Sequence, residues 1–340
     1  MTIITRRAAL AGIGAAALLP ELALAAATNP RRIHVHHHHL PPRYLEKARD
    51  GLIASSPYGN QVVKWTPAVS LEQMDQYGIA TAMLSNPASW RDFAPEDARA
   101  LVRDSNEYAA QMRQDHPGRF GVFAAVPMPD VDASLKEIEY AFGTLKADGV
   151  QLTTSYGLQY PGDPAFDPLF AELDRRRAVV FIHPTAPGCC ARLVPGIPAP
   201  TVEFMFDVTR CIVSLLFRGT FTRYPNIRFI FSHDGAALPM LADRITRNAT
   251  VVKGAGFTSQ EAAMAVLQRL YYDVTTSTSR PSLSGFRAFA PVTQMLFGTD
   301  IPFLSPAETA PRLDVFGFRA KELAAINRGN AERLFPGLRV

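Results

Sequence analysis

The sequence predicts an α/β chain folded as a (β/α)8 barrel, a TIM barrel. Eight short segments rich in β-branched and aromatic residues recur between residues 31 and 303. They are mostly apolar on both faces, as buried parallel strands are. Helical patterns long enough to act as crossovers lie between them. A doubly wound open sheet is the alternative, and its mark would be a Gly-rich phosphate-binding turn after the first strand, which is not there.

The composition agrees. A chain of 340 residues, 47% hydrophobic and 19% charged, is neither disordered, collagen-like nor a coiled coil. Three cysteines exclude a disulfide framework. The net charge of +4 comes from 35 basic and 31 acidic residues spread along the chain. With no Lys/Arg cluster interleaved with aromatics, nucleic acid is not an expected partner.

Residues 1–27 read as an address. Arg6 and Arg7 precede a weakly hydrophobic run over 8–19, too short to span a bilayer, and Ala23-Leu24-Ala25 or Ala25-Ala26-Ala27 offers a cleavage triplet. The Arg pair before an Ala- and Gly-rich run resembles a twin-arginine export signal, with Ala9 where Phe or Leu is usual. The expectation is therefore a periplasmic protein with one mature domain over 28–340. No stable membrane association is expected after export.

The strands are expected at 31–37, 81–86, 120–127, 149–155, 178–185, 227–235, 270–277 and 294–303. The clearest helical patterns are 95–115, 130–147, 166–177 and 202–224, with Asp130 as an N-cap after Pro127-Met128-Pro129. Two stretches break the rhythm. Residues 40–66 hold Pro41, Pro42, Pro57 and Trp65, and residues 186–201 hold Pro187, Cys189, Cys190, Pro195, Pro198 and Pro200. Both follow C-terminal strand ends, where a barrel carries its active-site loops, and read as pocket walls or lids. Trp65 is a candidate to stack on an aromatic substrate, with plain packing as the alternative. A bridge between the adjacent Cys189 and Cys190 would be strained, so free thiols are expected.

The chemistry sits at strand ends. The first strand closes in His36-His37-His38-His39, the fifth in His183, the sixth in His233 and the eighth in Asp300. In a closed barrel these ends meet at one mouth. Alternation along a strand puts His34, His36 and His38 on one face and His37 on the other. His36, His38, His183 and Asp300 can then surround one divalent ion. Three imidazoles and a carboxylate suit zinc first, with manganese as the alternative.

The segments VHHHHLPPRYL, VVFIHPT, FIFSHDGAALPMLADRI and FGTDIPF resemble the amidohydrolase superfamily, a metal-dependent hydrolase type of barrel. More closely they resemble its amidohydrolase-2 family of aminocarboxymuconate-semialdehyde decarboxylase-like proteins. NEYAAQMRQDHPGRFGVFAAVPMPD and EFMFDVTR are similar to segments of 6-methylsalicylate decarboxylase-like members. The resemblance runs from about residue 31 to 336. It implies that His36, His38, His183 and Asp300 bind metal, that Asp300 also moves a proton, and that His233 acts on substrate or on metal-bound water. It implies that Arg244 reaches a substrate carboxylate in the neighbouring subunit of a homodimer.

Two departures stand out. His34 replaces the usual Asp two residues before the first metal His, and His233-Asp234-Gly235-Ala236 replaces H-G-G-G. His34 can compete for metal or tune it, and Asp234 can orient His233. Thr153-Thr154-Ser155 stands at the fourth strand end where a carbamylated Lys would be needed for a second metal. Glu203, Asp207 and Arg210, at helical spacing, read as an ion-pair row or as a subunit or site wall.

Three functions remain open at this point. One is a non-oxidative, metal-dependent decarboxylase of a small aromatic or unsaturated cyclic acid. A second is a hydrolase of an ester, lactone, amide or activated C–C bond on the same ligand set. The third is a periplasmic metal-binding protein.

Overall fold

The computed structural model describes residues 29–190 and 193–338. The expected signal segment, 1–27, lies outside them. Eight strands follow one another in order, each pairing parallel with the next: β1 (Arg32–His38), β2 (Ile79–Ser85), β3 (Phe120–Ala124), β4 (Gly149–Thr153), β5 (Val179–His183), β6 (Arg228–Phe231), β7 (Tyr271–Asp273) and β8 (Met295–Leu296). Backbone bonds between β1 and the segment after β8 close the ring, Val35 N–H to Phe297 O at 2.9 Å and His38 N–H to Ile301 O at 2.7 Å. Helices lie between successive strands, so the barrel is of the (β/α)8 type.

Local chemistry explains the elements. The Val131–Gly143 helix starts where Asp130 accepts the Ala133 N–H at 3.0 Å. The expected 202–224 helix is the Ala199–Phe217 helix, which ends before Gly219 in the left-handed region at φ 68°. Residues 40–66 are largely helical. Pro42 opens the Pro42–Ser55 helix from its first turn, where a missing N–H costs nothing. All eight expected strands exist, but most end earlier than their sequences predict.

Two apolar layers hold the barrel. Inside it, Ile33, Val35, Met83, Phe123, Phe181, Ile230 and Leu296 pack onto a floor of Ala331, Leu334 and Phe335. Phe181 stacks on Phe123 at 5.3 Å and meets the His36 ring edge-on at 5.1 Å. Phe181→Ala is expected to cost about 3–5 kcal/mol of stability, measured as a lower urea midpoint with an unchanged slope.

β1 carries a bulge that decides the site. His34 to His37 on β1 stand opposite Ala82 to Leu84 on β2, three steps against two. Ile33 and Val35 face the interior, and His36 and His38 face it as well. The extra residue resets the alternation. His34 therefore does not share a face with His36, as strict alternation predicts. It turns outward with His37, their Nδ1 atoms 3.1 Å apart.

Candidate metal centre

The ends of β1 and β5 and the turn after β8 bring His36, His38, His183 and Asp300 together, with one ligand atom from each lying within 4.8 Å of the others. The three imidazoles are buried and Asp300 keeps 15% side-chain exposure, so it stands at the mouth. His36 Nε2, His38 Nε2, His183 Nδ1 and Asp300 Oδ1 are buried with no hydrogen-bond partner. Asp300 Oδ1 approaches His38 Nε2 at 3.0 Å and His36 Nε2 at 3.4 Å without the alignment of a hydrogen bond. Those are the separations of two ligands on one ion with bonds of about 2.1 Å. Orphaned buried polar atoms are costly, and four of them converging fit a divalent ion.

The electrostatics favour a cation. Burial alone would push both site carboxyls up. His36 and His38 outweigh it and hold Asp300 well below the usual carboxylate range, and His36 also lowers Asp273. Burial works against charge on His36, but Asp273 and Asp300 overcome it and raise the imidazole to about 10. Burial lowers His38, His183 and His233, which keeps them neutral and able to accept or ligate.

Asp273 is the residue that sequence reasoning missed. Its Oδ2 lies 3.0 Å from His36 Nδ1, and its Oδ1 accepts the backbone N–H of His233 at 3.1 Å and of Thr275 at 2.9 Å. It therefore leaves His36 Nε2 for the ion and fixes the turn that carries His233. The signal was present: Asp273 closes β7 at the same place in its strand as His183 does in β5.

His233 stands beside the four, its ring 5.2 Å from that of His36. Its Nδ1 lies 3.3 Å from the Thr275 carbonyl and 3.0 Å from Thr276 Oγ1. A carbonyl only accepts, so the proton belongs on Nδ1 and Nε2 is left bare. His233, Asp234, Thr276 and Asp300 all have positive φ, 52° to 71°. Such conformations persist only where the surroundings impose them, and they cluster here. Asp234 does not orient His233. Burial pushes its carboxyl up, and it accepts from Ser282 Oγ at 3.3 Å.

The family model described as Amidohydrolase matches residues 33–337. Decarboxylase yanB of Aspergillus niger is 36% identical, with the alignment covering 90% of this chain and 87% of that one. The 6-methylsalicylic acid decarboxylase of Penicillium expansum is 34% identical, over 91% of this chain and 97% of that one. The chain belongs to the amidohydrolase family. Among solved structures, a dihydroxybenzoic acid decarboxylase from a Polaromonas species with bound manganese superposes with a TM-score of 0.80. It is 22% identical, over 91% of this chain and 98% of that one, a likeness of fold.

The other expected positions of this amidohydrolase fall elsewhere. Trp65 is 5% exposed in the outer core and donates its indole N–H to Ser70 Oγ at 2.8 Å, which is packing rather than a substrate platform. Arg244 is exposed on the Leu238–Ala249 helix. It lines an open groove of about 490 Å³ with Phe206, Arg210, Phe217 and Leu241, and none of the four candidate ligands lines that groove. Of Glu203, Asp207 and Arg210, the first and last approach as an ion pair at 3.9 Å, while Asp207 turns elsewhere. Asp207 is buried and accepts from Thr154 Oγ1 at 2.5 Å, Ser155 Oγ at 2.9 Å and Tyr160 OH at 2.6 Å, which pins the end of β4 to the Ala199–Phe217 helix. Cys189 and Cys190 are joined in a disulfide rather than free.

Proposed function

We propose that this amidohydrolase is a carboxy-lyase that removes the carboxyl group of a small aromatic acid, without an oxidant, at one divalent ion. The observation that carries this reading is the 34–36% identity to named decarboxylases over nine-tenths of the chain. The site supports it. His36, His38, His183 and Asp300 would hold the ion, which when bound supplies a Lewis acid for a substrate oxygen. Manganese is proposed over the zinc expected from the donor set, because the Polaromonas structure holds manganese.

The chain's own residues handle the proton. Breaking the bond between ring and carboxyl leaves an electron pair on carbon, so that carbon takes a proton before CO2 departs. The bare Nε2 of His233 can take a proton from substrate and return it, with Thr275 and Thr276 holding the ring in place. Asp300, at the mouth, is proposed as the second group through which the proton moves. Arg244 is proposed to bind a substrate carboxylate across a homodimer. Its exposure and the lack of a partner for it among the described residues leave its guanidinium free for that role. Export by the Arg6-Arg7 segment to the periplasm is proposed from the sequence alone.

The test uses manganese-loaded protein with hydroxylated benzoates, 6-methylsalicylate among them, in deuterated and in oxygen-18 water. The expected result is one CO2 per acid consumed, deuterium at the vacated ring carbon, and no oxygen-18 in the aromatic product. Solvent oxygen in the product without loss of CO2 would establish hydrolysis instead.

A further inference from the structure

We propose that His34, through the Thr299 amide, positions the Asp300 carboxylate, and that His37 and Ser70 accommodate the tautomer of His34 that this amide requires. The inference rests on the reading of Asp300 as a metal ligand. Thr299 donates its backbone N–H to His34 Nε2 at 2.7 Å, and its Oγ1 lies 3.0 Å from the same atom. An amide only donates, so Nε2 is bare and the His34 proton sits on Nδ1. That proton faces His37 Nδ1 at 3.1 Å, which must then accept. The His37 proton is thereby on Nε2, 2.8 Å from Ser70 Oγ, which also accepts the Trp65 indole N–H at 2.8 Å. Each link leaves one arrangement for the next, and all five residues are buried.

The row ends one residue before Asp300, whose backbone sits at φ 71°. Asp300 N–H to His36 O at 3.0 Å and His38 N–H to Ile301 O at 2.7 Å hold the far side of that turn to β1. Among the described residues, His34 provides the one side-chain anchor on the backbone of Thr299, Asp300 and Ile301. A left-handed Asp aimed at an ion needs such determination from its neighbours. His34 and His37 can meet because the bulge turns both outward, so the distortion that aims His36 and His38 inward also builds the row that aims Asp300.

The experiment measures the Mn2+ dissociation constant by chelator competition, steady-state kinetics, hydrogen exchange of the Thr299 amide, and the His34 tautomer by nitrogen NMR. His34→Leu is expected to weaken Mn2+ about 10–100-fold, to lower kcat with little change in KM, and to speed exchange at Thr299. His34→Gln restores an acceptor near the Nε2 position and is expected to recover most of the affinity. The wild-type tautomer is expected to carry its proton on Nδ1. Unchanged Mn2+ affinity in Asp300→Asn would overturn the ligand reading itself. Affinity lost in Asp300→Asn but intact in folded His34→Leu would overturn this proposal alone. A wild-type His34 with its proton on Nε2 would do the same, whether or not the Leu variant folds.

Discussion

Asp300→Asn is expected to lower kcat by about 10³-fold or more and to abolish most of the stabilisation that Mn2+ gives the protein. The substitution keeps shape and removes charge, so it touches two functions at once. A neutral amide oxygen is a poorer partner for a divalent ion beside His36 and His38. It also cannot take or give the proton that the reaction moves, and such a group contributes about 10²–10⁴. The dependence of stability on metal separates ligation from packing. Without metal, the Asn variant leaves the His36 imidazolium short of one of its two carboxylates, so its melting temperature is expected to fall below that of the metal-free wild type. With metal, wild type gains stability in proportion to the logarithm of metal over dissociation constant, and the variant gains little. Equal Mn2+-induced shifts in the two proteins would remove Asp300 from the ligand set.

Much of this site was legible in the sequence because barrel geometry turns strand ends into neighbours. The His36–His38 pair, His183 and Asp300 lie in three distant parts of the chain, yet each part closes an apolar run, and knowing the order of the strands was enough to bring them together. What could not be read is the local path of the backbone. Every residue of β1 is buried, so the strand shows no polar face against which to judge alternation, and the bulge left no trace in the pattern. The overlong strands share a cause. His233, Asp234, Thr276 and Asp300 continue strand-like sequences, but their backbones have already turned left-handed to aim side chains at the mouth. Residues 40–66 misled for another reason, since prolines that break a helix inside it also begin one. Asp207 escaped because its partners are hydroxyls from the segment after β4, distant in sequence, and helical spacing offered nearer but wrong ones.

The same limits hid Asp273, and its substitution carries the second large expected effect. In Asp273→Asn the side-chain oxygen can still accept the His233 and Thr275 amides, which places the new NH2 against His36 Nδ1. Two donors then face each other. His36 can resolve the clash only by moving its proton to Nε2, the atom that must be bare to ligate. Mn2+ affinity is therefore expected to fall about 10–100-fold with only a small change in melting temperature. Asp273→Ala should differ, because three buried donors lose their acceptor at about 1–3 kcal/mol each and stability falls with affinity. Raising the Mn2+ concentration distinguishes the two carboxylates. Saturation is expected to restore most of kcat in Asp273→Asn, whose fault lies in holding His36, and not in Asp300→Asn, whose fault includes the proton. Titration of kcat against Mn2+ in both variants checks this, and a kcat for Asp273→Asn that stays low at saturation would place Asp273 in the chemistry rather than in the orientation of its ligand.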